Sequence, residues 1–168
     1  MDIIFNRRSI RRYKKQAVEQ VKIERLLKAA MQAPSAANQQ PWEFIVVQSK
    51  ESLRKLAEIS QYSKMVVDAP LALVLLGNKD RMKSQRHWEQ DMAASAQNIL
   101  LEAVHLGLGG VWIGVAPLQD KMDIVSKQYE LEDRLSPFCV ISIGYPDEGQ
   151  EHKFVDRFDP ERIHYEKY

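Results

Sequence analysis

"HWEQDMAASAQNILLEAVHLGLGGVWIG", from His87 to Gly114, joins two unlike patterns at a cluster of glycines. Up to Gly107 the spacing is helical. Met92, Ala93, Ala96, Ile99, Leu100, Ala103 and Val104 put apolar or small side chains on more than one side, and a helix apolar most of the way round is buried. Ala93, Ala94, Ser95 and Ala96 are small enough to let another backbone come close. Gly107 stops the helix as a C-terminal cap residue. "GGVWIGVAP", Gly109 to Pro117, then reads as a short strand and turn. The glycines thus follow a helix and enter a strand. A dinucleotide-binding turn does the opposite, and it needs GxGxxG spacing, which is absent. A Rossmann fold is excluded on this stretch.

Working outward, "VKIERLLKAAMQA" (Val21 to Ala33) carries Ile23, Leu26, Leu27, Ala30 and Met31 on one helical face, and Pro34 ends it. "PWEFIVVQ" (Pro41 to Gln48) has the β-branched and aromatic content of a strand. Lys50 to Ser60 returns to helical spacing. "APLALVLLG" (Ala69 to Gly77) is continuously apolar, as in a strand buried on both faces. Leu118 to Leu131 predicts a helix, and Pro137 to Pro146 another buried strand. His152 to Tyr168 has no strong period and reads as an extended tail whose aromatics need something to pack on. Helices and strands mix without strict βαβ alternation. The expected class is α+β, a three-layer α/β/α sandwich with a mixed central sheet.

The chain has 168 residues, which fits one domain spanning 1–168, at the upper edge of the usual range of roughly 100–150. The formal net charge of +1 argues against a domain built to bind polyanions over its whole surface. Yet six of the ten residues from Asn6 to Lys15 are Arg or Lys. The single cysteine, Cys139, lies in an apolar run and reads as a buried small hydrophobe, and one Cys fits a reducing compartment. No signal-peptide pattern opens the chain, and no apolar run approaches the ~18–20 residues that cross a bilayer. The expectation is a cytoplasmic protein with no membrane partner. No P-loop, HExxH, CxxC or GxSxG spacing occurs, and the four histidines are scattered, so a metal site is not expected.

Three stretches in order, "RRSIRRY" (Arg7 to Tyr13), "APSAANQQPWEF" (Ala33 to Phe44) and "LGLGGVWIG" (Leu106 to Gly114), resemble the nitroreductase family of flavin oxidoreductases. The tail "DRFDPERIHYEKY" (Asp156 to Tyr168) agrees. The resemblance runs from Ile3 to Tyr168. It implies a homodimer with FMN bound noncovalently at the interface and the C-terminal tail extending onto the partner subunit. It also implies hydride uptake from NADH or NADPH and electron delivery to a nitroaromatic, quinone or similar small-molecule acceptor, by a ping-pong mechanism.

By that resemblance Arg7 and Ser9 bind the FMN phosphate, with Arg8 beside them and Arg157 completing the clamp. Arg forks and hydroxyls suit a doubly charged phosphate. Many relatives carry a further basic residue where this chain has Val155; either Lys153 substitutes or the clamp is weaker. Arg11 points toward the ring, where a cation stabilises charge gathered on reduction. Lys64 matches a second cation and Gln61 a polar ring contact, though Lys64 also reads as a solvated helix lysine. Ile113 and Gly114 offer backbone N–H groups along the ring, with Trp112 stacking nearby or filling core; a plain buried strand is the alternative. Pro34, Ser35, Ala36 and Asn38 match the segment that reaches the partner's flavin; a plain interhelical loop is the alternative. No side chain need act as catalytic acid or base. Two competing readings remain: the same fold with flavin fragmentation or dehalogenation, and a nonenzymatic nucleic-acid module using the basic run.

Overall fold

A computed structural model describes residues 2–168; Met1, the first residue of the expected single domain, lies outside the described residues. After a short helix α1 (Ile3–Asn6) the chain runs through α2 (Gln20–Met31), β1 (Trp42–Val47), α3 (Lys50–Leu56) and β2 (Leu71–Asn78). It continues through α4 (Trp88–His105), β3 (Gly109–Gly114), α5 (Gln119–Gln128) and β4 (Leu135–Gly144). The strand order is β1-β2-β4-β3.

β2 explains the three layers. Its eight residues are all buried, as a continuous apolar run demands, and strand geometry sends alternate side chains to opposite faces. Leu71, Leu73 and Leu75 join a core with Ile23, Leu26 and Ala30 of α2 and Met92, Ala96, Ile99 and Ala103 of α4. Ala72, Val74 and Leu76 join a second core with Leu53 and Leu56 of α3 and Val125 of α5. The sheet is sandwiched between two helical layers, as the sequence predicts.

The pairing is simpler than the mixed sheet expected. All three strand pairs are antiparallel. The parallel element is the isolated bridge from Ser9 to Gly110. Burial on both faces is visible in a strand's composition; the direction of its neighbours is not.

α3 begins on Ser49, whose Oγ accepts from Ser52 N–H at 3.2 Å. It ends four residues earlier than the spacing predicts, at Leu56 instead of Ser60. The cause is Ser63, fully buried, whose Oγ lies 2.7 Å from Ser60 O and 3.0 Å from Ala57 O and accepts from Ser60 N–H at 2.9 Å. Those bonds satisfy the backbone in a turn rather than in more helix. α4 is buried on the side of Met92, Ser95, Ile99 and Ala103, and Gly107 follows it at φ +72°, the left-handed cap conformation. Cys139 is fully buried within β4, and burial pushes its thiol pKa up. The tail is extended apart from one 3-10 turn at Pro160–Arg162.

Candidate functional site

The site is built where the segment after α1 is laid along β3. Ile10 N–H donates to Gly110 O at 3.1 Å, and Ser9 bridges Gly110. This is possible because Gly109 has no side chain: a Cβ there would lie 2.4 Å from Ile10 Cγ1. Ile10 is buried, so its neighbours Ser9 and Arg11 face outward on the opposite side of the extended segment. The glycines of "LGLGG" therefore serve close packing, and that packing carries the basic run to its place.

Two environments receive the basic residues. Arg7, Arg8 and Arg157 share a pocket of about 330 Å³ where α1 meets residues 154–158. Arg8 is held by its own chain, Nη1 donating to Arg7 O at 2.6 Å and to Phe5 O at 3.3 Å. Its Nε and Nη2 are buried without a partner among the described residues. Burial first, then the charges of Arg8 and Arg157, lower the pKa of Arg7. Asp156 is the carboxylate in this pocket, and its Oδ1 accepts from Phe158 N–H at 3.0 Å. Unpaired buried donors on a cation cost upwards of about 1–3 kcal/mol, so the pocket is chemically suited to an anion with several oxygens. Ser9 and Lys153 line an adjoining pocket of about 310 Å³ with Arg8, while Val155 lines the arginine pocket itself.

The second environment is a cleft of about 690 Å³ bordered by Arg11, Gln61, Trp112, Ile113, Gly114 and Lys121. β3 is one of the two edge strands of the sheet. Residues 9–10 cover its outer edge at Gly110, and beyond that the edge faces the cleft with backbone groups the sheet does not use. Ile113 is buried, so its backbone is what it presents. A Cβ on Gly114 would meet nothing within 4 Å. The Trp112 ring packs on Phe138 at a centroid distance of 5.5 Å, the core role, and the residue also lines the cleft. The Ser63 turn sets Gln61 at the rim.

The structure does not gather every expected residue into one protomer's site. Lys64 is exposed at the head of a 3-10 turn, Lys64–Asp68, and is not among the cleft-lining residues. The segment Pro34, Ser35, Ala36, Asn38 forms a separate turn. Ala37, Asn38 and Gln40 there have φ of 50°, 51° and 46°, left-handed values that cost non-glycine residues about 1–3 kcal/mol each. Lys121, on the surface of α5, lines the cleft together with Tyr62, Met65 and Leu118. None of these four carries a motif; a helical lysine is ordinary until the fold places it. The rest of the basic run goes elsewhere: Arg12 Nη2 donates to Glu148 O at 3.2 Å, and Lys14 and Lys15 border a different hollow. Among the described residues no group of three or more His, Cys, Asp or Glu is placed to hold a metal, and no helix is long and apolar enough to cross a membrane.

Comparisons with known proteins bear on the family and the fold. The model of the nitroreductase family matches residues 4–63 and 60–145. A protein of Methanothermobacter thermautotrophicus named "Putative NADH dehydrogenase/NAD(P)H nitroreductase" is 42% identical over 168 residues, covering 100% of this chain and 87% of the relative. The crystal structure of a "Putative NADH Oxidase" from Clostridium acetobutylicum is similar with a TM-score of 0.97 and 56% identity, covering 99% of this chain and 100% of the other. An "FMN-dependent Nitroreductase" from Clostridium difficile is similar with a TM-score of 0.90 and 33% identity, covering 99% and 98%.

Proposed function

The chain belongs to the nitroreductase family, and on that premise we propose that it is an FMN-dependent NAD(P)H oxidoreductase acting as a homodimer. The observation that carries the reading is the arginine pocket: buried guanidinium nitrogens of Arg8 without partners, beside Arg7 and Arg157. A ribityl phosphate supplies the missing acceptors. Arg7, Arg8, Arg157 and Ser9 hold it, and Lys153 supplies the basic group that Val155 cannot. Arg11, Gln61 and Gly114, which line the neighbouring cleft, would hold the ring there. FMN held there would supply two-electron chemistry between NADH or NADPH and a nitroaromatic, quinone or similar acceptor, in a ping-pong sequence.

The chain's own residues bind, orient and tune. A fixed cation at Arg11 favours the more negative reduced state. The exposed backbone beyond Gly110 presents donors along the ring. Residues 34–38, which line neither environment in one protomer, reach the flavin of the partner. The dimer also explains the tail. Phe158 is 74% exposed and Tyr165 85% exposed, an apolar surface that a second copy covers.

The visible absorption spectrum of the purified protein tests this. A yellow protein with an oxidised-flavin spectrum, bleached by NADH or NADPH under anaerobic conditions, is expected. A colourless protein that takes up no added FMN would refute the reading.

A further inference from the structure

We propose that Asp91 is a positioning residue that sets the shape of the ring-contacting turn, Ser35–Gln40. The proposal rests on the reading of residues 34–38 as a flavin contact. Asp91 is only 4% exposed, near the start of α4. A buried carboxylate is costly unless its oxygens are satisfied. Both of its oxygens are used on the turn: Oδ1 accepts from Ala36 N–H at 2.9 Å, and Oδ2 accepts from Gln39 Nε2 at 2.5 Å. Its partners are neutral N–H groups, so the bonds do not serve to neutralise a cation.

Gln39 is buried as well and completes the clamp. Its Oε1 accepts from Ser84 N–H at 2.8 Å, and its Nε2 lies 3.2 Å from Ser84 O. The turn is thus tied at its start and near its end to the segment that leads into α4. Between and beside these ties sit Ala37, Asn38 and Gln40, all left-handed and none of them glycine. Such a run persists only where its surroundings over-determine it. Two further bonds inside the turn follow from this shape: Gln40 N–H to Ser35 Oγ at 3.0 Å and Gln40 Nε2 to Asn38 Oδ1 at 2.8 Å. Asn38 and Ala37 are left exposed, held in one presentation. Asp91 touches no cofactor; it acts through Ala36 and Gln39. A rigid turn meets a flat ring without the entropy loss of ordering on binding.

The test is titration of flavin-stripped dimer with FMN and with riboflavin, followed by flavin fluorescence quenching. Riboflavin has the ring and no phosphate. In Asp91→Asn the new amide sets donor against donor at Gln39. Both flavins are expected to bind about tenfold more weakly, by a common factor, since the phosphate pocket is untouched. Adding Gln39→Glu to Asp91→Asn reverses the polarity of the pair while giving up the donor to Ser84 O, and is expected to recover part of the loss, which a merely destabilised fold would not do. Gln39→Met, which removes the same bond from the turn's side, serves if Asp91→Asn does not fold, and the same common loss is expected. Unchanged riboflavin affinity in the folded single variants overturns the proposal, as does absence of recovery in the double variant. Wild-type protein that binds neither flavin removes the functional reading, and the proposal with it; wild type that binds both while the variants match it overturns the proposal alone.

Discussion

Gly114 closes β3 with open space where a side chain would stand, and it borders the large cleft. Its φ lies outside the left-handed region, so the backbone there accepts other residues. These facts separate stability from binding. In Gly114→Val a β-favouring side chain enters a strand end without meeting protein atoms. The unfolding free energy of the flavin-free protein from urea denaturation is expected to stay within about 0.5 kcal/mol of wild type, as at most sites free of packing constraints. FMN affinity is expected to fall at least about tenfold, because the branched side chain occupies the ring's volume. Equal FMN affinity would show that the ring does not lie over Gly114. At this scale the sequence was partly legible. Arg7, Arg8 and Arg157 line one pocket, and since like charges repel, as the lowered pKa of Arg7 reflects, it is the packing of residues 154–158 beside α1 that brings them together. Lys121 was not legible, since its place depends on how α5 packs. Asp91 was not legible either: a carboxylate in the first turn of a helix suits the helix dipole and needs no further explanation.

Among the elements, the N-terminal segment and β3 form one unit, and Gly109 is the joint between them. A Cβ at 2.4 Å from Ile10 Cγ1 cannot be absorbed without moving that segment. Gly109→Ala is expected to cost about 1–3 kcal/mol in urea denaturation, the usual penalty of overpacking. The displaced segment carries Arg8, Ser9 and Arg11, so FMN binding is expected to weaken as well, in contrast to the cost-free fold of Gly114→Val. A fully stable Gly109→Ala protein with normal FMN affinity would refute the joint. The glycine cluster was easy to see in the sequence and hard to interpret. Its spacing ruled out a dinucleotide turn, but the need for close approach lies in Ile10, about a hundred residues away in the chain. The same limit explains the sheet. The apolar run of β2 revealed burial on both faces, while its antiparallel neighbours β1 and β4 are set by connections that composition does not encode. The early end of α3 shows the converse, a local hydroxyl at Ser63 overriding helical spacing.

In the whole molecule, the two cores are complete within one chain, and no residue beyond Tyr145 contributes to either. The tail therefore adds little to the fold of its own protomer. Its large apolar residues stay exposed, Phe158 at 74% and Tyr165 at 85%, although Phe154 does rest on Phe5 at 5.9 Å. Burying one such side chain in a partner contributes about 1.5–3 kcal/mol. That corresponds to roughly ten- to a hundredfold in a dissociation constant. Phe158→Ala with Tyr165→Ala is accordingly expected to raise the concentration at which the dimer half-dissociates by at least about tenfold in sedimentation velocity. The far-ultraviolet dichroism of the separated protomer is expected to match wild type, because both cores are untouched. Retention of FMN on dilution is expected to fall in step with the dimer, on the proposal that the turn at residues 34–38 reaches the partner's flavin. A variant whose dimer midpoint is unchanged would show that the tail lies elsewhere. Loss of the dimer with full FMN retention would place the whole flavin site within one chain, and would return the turn at Ser35–Gln40 to the role of a connecting loop.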